Sequence, residues 1–406
     1  MFWWLYKSPV QSSSDWPLIL WLQGGPGASG VGLGNFEEIG PLTTSLLPRQ
    51  HTWLTKSHLL FVDSPVGTGF SYVANDSLLL TNDEDVAIDL TTFLQAFFES
   101  HPELQSSPFF VFAESYGGKH AALLGLELNS AIRMGCVKAK LGGIALGDSW
   151  ISPIDSVFSW GPVLKAFSRI DNHQEQIITG KAKEIQENIK NGAFLDATRG
   201  WSFLESLILN MSNNVDFYNI LSDESDSSSS SLFETQQKQN SFQRYGHYLK
   251  MQRIKQLNQS VPDLASIMNG PIRKKLQIIP DGIIWRELAG SVFSALTQEF
   301  MRDVVAKVDE LLTRGVNVAI YSGQLDLICA TQGTEDWVKK LRWEGMAAFK
   351  DANRKPLFCN GTGNTAGFVK AYKNLTFYWV LFAGHMVPAD NPCIALEIVE
   401  SITNSI

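Results

Sequence analysis

Short apolar runs alternate with a helical pattern in the first part of this chain. Between two of these runs, residues Asp83 to Ser100 repeat apolar positions at helical spacing. Four runs have the length of buried strands: Leu18 to Leu22, Leu59 to Asp63, Pro108 to Ala113 and Leu141 to Leu146. Strands that alternate with helices predict a mostly parallel sheet with helices on both faces, which is an α/β fold. The opening residues, Met1 to Tyr6, also have the pattern of a strand.

The middle third has a different pattern. It is polar and helix-like, and it contains the serine-rich stretch Asp223 to Ser231, which is typical of a solvated loop. Alternation then returns, with a helical pattern from Met301 to Leu312, apolar runs from Val316 to Tyr321 and from Leu375 to Phe382, and a last helical pattern from Ile394 to Ile402. The sequence therefore predicts a first core part (1–153), a helical insertion that caps the site (154–280) and a second core part (281–406).

Composition narrows the function classes. The chain has 406 residues, 44% hydrophobic content and a formal net charge of −8, and it shows no basic face, which argues against a nucleic-acid partner. No run approaches the roughly 18 apolar residues of a membrane helix. The N-terminus lacks the basic start of a signal peptide. We therefore expect either a cytosolic protein or a chain that begins inside a longer precursor.

Two residue types bear on the compartment. Four cysteines lack C-x-x-C spacing, which makes a thiolate zinc site improbable and allows at most two disulfides: Cys136, Cys329, Cys359 and Cys393. Asn-x-Ser/Thr sequons are candidate glycosylation sites and favour secretion only weakly, since some occur by chance: Asn75, Asn210, Asn258, Asn360 and Asn374.

The stretch PFFVFAESYGGKH holds the candidate nucleophile. An apolar run breaks at Ser115 into Gly117 and Gly118, and a helical pattern follows. This predicts a strand, a sharp turn and a helix, with the serine hydroxyl exposed at the apex. The usual motif is G-x-S-x-G, and Ala113 replaces its first glycine. A serine hydroxyl needs a neighbouring base, so a histidine and an orienting acid are expected elsewhere.

Two predicted strands late in the chain are each followed by a residue that could serve Ser115 as the acid or the base. Asp326 follows the run that ends at Tyr321, and His385 follows the run that ends at Phe382. Sites in α/β sheets form outside the carboxyl ends of the strands. The chain order Ser115, Asp326, His385 is that of α/β-hydrolases. Asp148, at an earlier strand end, is the rival acid.

Catalysis also needs donors aimed at the developing oxyanion. Tyr116, directly after the nucleophile, can supply one backbone N–H. The glycine-rich turn after Leu22 can supply another, most plausibly from Gly25. The turn lacks G-K-[ST] and G-x-G-x-x-G, so a phosphate-binding role is disfavoured. No cofactor or metal is implied.

At these residues the chain resembles the serine carboxypeptidases, which are acid-active α/β-hydrolases of vacuoles and lysosomes. The likeness extends along the whole chain, and further motifs resemble the retinoid-inducible branch and its plant relatives: Gly147 to Pro153 and Met268 to Leu276. The motifs that carry the family likeness are Trp21 to Gly27, Phe36 to Pro41, Phe61 to Gly67, Glu114 to Gly118, the Asp326 turn and Gly384 to Pro388.

The resemblance implies an α/β-hydrolase fold, a Ser115–Asp326–His385 triad, and an oxyanion hole from the N–H groups of Gly25 and Tyr116. It further implies peptide or protein C-termini as substrates and a location in the secretory pathway, the vacuole or lysosome, or outside the cell. Their terminal carboxylate would be gripped by four residues: Gln23, Gly24, Glu38 and Glu114. Because clustered carboxyls cannot all ionise in a dry site, binding is expected to favour acidic pH. Met386 and Cys329 match positions near the side-chain pockets, although a plain buried thiol is an equal reading of Cys329.

Three departures from the family pattern leave alternatives open. Gln23 replaces the usual Asn, Ala28 replaces a disulfide-forming Cys, and Ala113 replaces a Gly. The leading hypothesis is a serine exopeptidase that acts through an acyl-enzyme. An acyltransferase that uses glucose-ester donors is the second reading, but its plant examples tend to carry Asp where this chain has Glu114. A catalytically inactive binding protein on the same scaffold is the third. The oligomeric state is left open.

Overall fold

The computed structural model describes residues 1–10, 16–224, 245–246, 263–359 and 363–404. In this part of the chain the strands form one nine-stranded sheet, in the order β1-β3-β2-β4-β5-β6-β9-β8-β7. The strands are β1 Trp3–Tyr6, β2 Leu18–Leu22, β3 His58–Val62, β4 Pro108–Glu114, β5 Lys140–Gly147, β6 Val318–Gly323, β7 Lys355–Phe358, β8 Thr365–Tyr372 and β9 Leu375–Val380.

The centre of the sheet is parallel and its edges are antiparallel. Strands β3, β2, β4, β5, β6 and β9 pair in parallel, whereas β1, β8 and β7 join antiparallel. This confirms the predicted mostly parallel α/β sheet. The sequence pattern missed β7 and β8 because their residues are largely exposed or half-buried and therefore form no continuous apolar run.

Helices flank the sheet and follow its strands. The longer ones are α1 Asp83–Ser100, α2 Gly117–Arg133, α3 Pro153–Ala166, α4 Asn172–Lys190 and α5 Phe194–Ser212. Later come α6 Leu264–Ile267, α7 Arg273–Leu276, α8 Gly290–Ala295, α9 Val305–Thr313, α10 Thr331–Val338, α11 Met346–Asp351, α12 Val387–Asp390 and α13 Pro392–Thr403. Gly30–Ile39 and Met268–Ile272 are π-helical, and Trp53–Thr55, Asp76–Leu78 and Pro102–Leu104 are single 3₁₀ turns. No described helix is long and apolar enough to cross a bilayer.

Several predicted boundaries were wrong. The strand predicted from Val316 to Tyr321 spans Val318–Gly323. The helix predicted from Met301 begins at Val305, because the Val304 N–H donates to the Ile151 carbonyl instead of continuing a helix. The last strand ends at Val380 rather than Phe382, and Phe382 has a left-handed backbone with φ of 60°. Most of the serine-rich stretch lies outside the described residues.

The centre of the sheet is buried on both faces. Along β2, Leu18, Leu20 and Leu22 join one apolar cluster, while Ile19 and Trp21 join another on the opposite face. This alternation explains why the central strands appear in the sequence as unbroken apolar runs. A third cluster lies beneath α3, α4 and α5 and includes residues from the strand-end loops. The division of the chain into core and insertion remains a prediction.

Candidate active site

Ser115 lies in a sharp turn between β4 and α2. Its φ is 59°, a left-handed conformation that non-glycine residues adopt only where the surroundings enforce it. The turn is held by close packing, since a Cβ on Gly117 would lie 2.4 Å from the Leu22 carbonyl oxygen. Ala113 lies within the extended strand β4 and pairs with Leu22 and Leu146, so this position needs no glycine. The predicted strand–turn–helix therefore forms around the serine.

Asp326 and His385 meet in the loops after β6 and β9. His385 Nδ1 lies 2.8 Å from Asp326 Oδ2, and both side chains are fully buried. The Nε2 atom of His385 has no hydrogen-bond partner among the described residues, so it is available to accept a proton. The His385 ring contacts Tyr218 at a centroid distance of 5.2 Å. Tyr218 lines the same cavity as Ser115, which places the histidine beside the serine's cavity.

The rival acid, Asp148, is not the histidine's partner. Its Oδ1 accepts the Gly323 N–H at 2.8 Å, and Asp326 holds His385 instead. Cys329 is fully buried, and its N–H donates to Asp326 Oδ1 at 3.3 Å. The ligand atoms of Asp326, Cys329 and His385 lie within 4.8 Å of one another. That donor set resembles a metal site, but the Nδ1–Oδ2 hydrogen bond already engages two of its ligand groups.

The predicted oxyanion donors border the same cavity. Gly25 and Tyr116 line it together with Ser115, and Gly24 packs so closely that a Cβ there would lie 2.5 Å from Ser115 Cβ. The rest of the lining is largely aromatic: Trp150, Trp201, Tyr218, Tyr245, Phe293, Phe300 and Ile328. Sequence reasoning missed these residues because they come from separate segments, and only folding brings them together.

Hydrogen bonds connect two of the predicted carboxylate-binding residues, Gln23 and Glu114. Trp21 Nε1 donates to Gln23 Oε1 at 2.7 Å, and Gln23 Nε2 donates to Glu114 Oε1 at 2.7 Å. Gln23, which is one methylene longer than the Asn usual at this position in the family, therefore forms a hydrogen bond with Glu114. Burial raises the pKa of Glu38 to about 7. Burial also raises the pKa of Glu114 well above its usual range, and the nearby charge of Glu38 adds to this effect.

Glu38 belongs to a buried π-helical segment, Gly30–Ile39. Arg49 holds this segment through guanidinium hydrogen bonds to the backbone carbonyls of Phe36, Glu37 and Gly40. Burial lowers the pKa of Arg49 to about 10, still far above neutrality. The charge of Arg49 lowers the pKa of Glu38, but burial outweighs this effect, so the two glutamates favour retaining a proton between them. No motif in the sequence indicated that Arg49 would hold this segment.

A buried ion cluster supports Tyr116. The Tyr116 hydroxyl donates to Asp83 at 3.0 Å, and Asp83 also pairs with Lys119 at 2.8 Å and with His120 at 3.0 Å. Burial alone would raise the pKa of Asp83, but Lys119 and His120 hold it well below its usual range. His120 is therefore a partner of Asp83. The cluster anchors the side chain of the residue that follows the candidate nucleophile, Ser115.

The remaining predicted residues have clear positions. Met386 is buried at the start of α12. Asn75 and Asn210 are exposed, whereas Asn374 Nδ2 donates to the carbonyls of Leu312 and Val316. A glycan on Asn374 would remove one of these bonds. Asn258 and Asn360 lie outside the described residues, and glycosylation stays a prediction at all five positions.

The chain matches known proteins along nearly all of its length. The family model described as serine carboxypeptidase matches residues 1–405. Serine carboxypeptidase-like 51 of Arabidopsis thaliana is 52% identical, covering 100% of this chain and 89% of the relative. The retinoid-inducible serine carboxypeptidase of Homo sapiens is 45% identical, covering 99% of this chain and 88% of the relative.

A solved structure has the same fold. The prohormone-processing carboxypeptidase Kex1(delta)p of Saccharomyces cerevisiae superimposes with a TM-score of 0.81, covering 99% of this chain and 86% of that structure. The two sequences are 23% identical. The comparison therefore shows a shared α/β-hydrolase architecture.

Proposed function

This chain is a member of the serine carboxypeptidase family, and we propose how its site releases residues from peptide C-termini. As a serine-type carboxypeptidase it is a hydrolase. The observation that carries the proposed mechanism is the buried His385–Asp326 hydrogen bond of 2.8 Å, next to the cavity that exposes Ser115.

The first half of the proposed reaction forms an acyl-enzyme. His385 Nε2 takes the hydroxyl proton as Ser115 Oγ attacks the carbonyl carbon of the last peptide bond. Asp326 fixes the histidine tautomer and stabilises the resulting imidazolium. The imidazolium then gives its proton to the leaving amino group, which departs as the C-terminal amino acid.

The second half regenerates the enzyme. His385 takes a proton from water, and the hydroxide oxygen attacks the acyl carbon. The ester bond to Ser115 breaks, and the imidazolium returns the proton to Oγ. In both halves the N–H groups of Gly25 and Tyr116 stabilise the oxyanion, and each such donor lowers the barrier by about 3–4 kcal/mol.

Recognition of the terminal carboxylate falls to Gln23, Gly24, Glu38 and Glu114. A protonated glutamate can donate a hydrogen bond to the substrate carboxylate, whereas an ionised one repels it. The raised pKa values of Glu38 and Glu114 support protonation at mildly acidic pH. Substrate binding should therefore be favoured there.

Passage through an oxidising compartment is part of the proposal. A disulfide joins Cys359 to Cys393, and disulfides are rare in proteins of the reducing cytosol. The exposed sequons at Asn75 and Asn210 are compatible with glycosylation in the same compartment. Both observations support a secretory, vacuolar or lysosomal location.

A fluorophosphonate probe and a blocked dipeptide test this mechanism together. We expect the probe to label Ser115, and the enzyme to hydrolyse the dipeptide near pH 5. Ser115→Ala should abolish both, whereas Ser45→Ala, at an exposed serine, should change neither. Labelling with acyl transfer but no peptide cleavage would favour an acyltransferase. Absence of labelling would favour a binding protein and overturn the mechanism.

A further inference from the structure

Asp148 is a buried acid that is not part of the proposed Ser115–Asp326–His385 triad. It follows β5 with a left-handed φ of 36° and is 1% exposed. Its N–H donates to the Tyr321 carbonyl at 2.9 Å, and its Oδ1 accepts the Gly323 N–H at 2.8 Å. These bonds fasten Asp148 to the end of β6, just before Asp326.

The second oxygen of Asp148 lies beside another carboxyl group. Oδ2 is buried and has no hydrogen-bond partner of ordinary geometry among the described residues, and the side chains of Asp326 and Ser322 are its polar neighbours. The Ser322 hydroxyl is already paired with Thr331 Oγ1 at 2.9 Å. Asp326 already accepts from His385 Nδ1 and from the Cys329 N–H. Two buried carboxyls in contact cannot both ionise, so the one that keeps a proton becomes the donor.

The surroundings indicate which carboxyl keeps the proton. Burial raises the pKa of Asp148 well above its usual range, and the charge of Asp326 raises it further. Asp326, by contrast, faces the imidazole that becomes a cation during the reaction. Asp148 is therefore the neutral member of the pair.

We propose that Asp148 is a positioning residue for the triad: its carboxyl proton donates to Asp326 and holds that carboxylate aligned on His385. This inference rests on the proposed function. Asp148 contacts neither the substrate nor the reacting atoms, and it acts through Asp326. The neutral carboxyl group of Asp148 can accept a hydrogen bond from the Gly323 N–H and donate one to Asp326 at the same time. A hydrophobic side chain can do neither.

The proposal predicts a pH effect. The titratable groups that face Asp148 are Asp326, Glu114 on β4, Tyr321 on β6 and Cys329, and His385 lies beyond Asp326. Ionisation of Asp148 would add a second negative charge beside Asp326. The two carboxylates then repel each other and the donor that aligns Asp326 on His385 is lost, so reactivity should decline at alkaline pH.

Asp148→Asn and Asp148→Leu separate positioning from mere space filling. The rate constant for fluorophosphonate labelling of Ser115 is measured across pH, because the probe has no terminal carboxylate to involve Glu38 and Glu114. The Asn amide can accept from Gly323 and donate to Asp326, so this variant should label within about threefold of wild type at pH 5, with its alkaline decline shifted upward or lost. The Leu variant lacks the donor and should label about 10- to 100-fold more slowly. Asp281→Asn, at an exposed aspartate, is the matched control and should match wild type.

Several outcomes would overturn the inference. These are an Asn variant as slow as the Leu variant, an Asn variant with the wild-type alkaline decline, or a Leu variant as fast as wild type. Circular dichroism checks that each variant folds, and if the Leu variant does not fold, the pH profile of the Asn variant decides alone. Wild-type protein that fails to label would instead overturn the proposed function, and this inference with it.

Discussion

At the residue scale, two buried glutamates make the charge of the site depend on pH. Glu38 is 1% exposed and Glu114 is 0% exposed, and both are acids whose pKa is raised mainly by burial. Below about pH 7 the pair retains at least one proton. Above this pH Glu38 ionises, and negative charge is added at the position that we propose for the substrate carboxylate.

Substrates with a free C-terminus should therefore show a KM that rises as pH increases through about 7. Glu114→Gln removes one acid and should raise KM about tenfold for the free-acid peptide, because a charge-assisted hydrogen bond is lost. The C-terminally amidated peptide should be much less affected. Steady-state kinetics on the matched peptide pair measure both effects.

The control for this prediction is Glu344→Gln, at a glutamate whose side chain is 79% exposed. It should leave both KM values unchanged. Equal changes in KM for the free-acid and amidated peptides in the Glu114 variant would remove Glu114 from carboxylate recognition.

At the scale of elements, the junction of β2, β4 and α2 sets the position of Ser115, the proposed nucleophile. The helix begins at Gly117 directly against the end of β2. A side chain there has no free volume, because the nearest atom is a backbone carbonyl that cannot move without bending the strand. The position of the serine is therefore a property of three packed elements.

Gly117→Ala should disturb this junction. The added Cβ would lie 2.4 Å from the Leu22 carbonyl oxygen, and overpacking of this kind costs about 1–3 kcal/mol. We expect a lower Tm and a loss of kcat, measured by thermal unfolding and peptide hydrolysis.

Gly180→Ala is the matched control within helix α4. A Cβ at Gly180 meets nothing within 4 Å, and Ala favours a helix interior over Gly by about 1 kcal/mol. It should therefore raise Tm and leave kcat unchanged. A Gly117 variant that matched wild type in both Tm and kcat would show that the junction has more freedom than this packing allows.

At the scale of the whole molecule, buried acids make the fold itself sensitive to pH. Burial raises the pKa of Asp63 to about 6 and that of Glu38 to about 7. An acid with a raised native pKa binds more protons when folded, so its contribution to stability falls as pH rises between its unfolded and folded values. Asp83 has the opposite shift, and its contribution is lost only in strong acid.

The free energy of unfolding should accordingly fall by about 1–3 kcal/mol from Glu38 alone as pH rises from 4.5 to about 7. Glu38→Gln has no proton to lose and should flatten this part of the profile. Urea unfolding at a series of pH values measures the difference. An exposed-site variant, Glu344→Gln, should keep the wild-type slope, and a Glu38 variant that also keeps it would contradict the prediction.

The sequence by itself determined the central strands, the elbow around Ser115 and the chain order of the three residues proposed as the triad. These features are local: an unbroken apolar run marks a strand buried on both faces, and glycines mark a turn where backbones touch. The structure places His385 Nδ1 2.8 Å from Asp326 Oδ2, and the catalytic role of this pair stays a prediction.

Only the tertiary structure decided which groups share protons and which line the cavity. Glu38 meets Glu114, and Asp148 meets Asp326, across long separations in sequence, so no local pattern could record these contacts. The aromatic lining of the cavity and the hydrogen bonds from Arg49 to backbone carbonyls likewise join residues that are separated in the sequence. Burial and neighbouring charge arise when distant segments pack, and these two properties set the protonation state of an acid. The amino-acid sequence specifies the residue types, whereas the folded structure sets their ionisation.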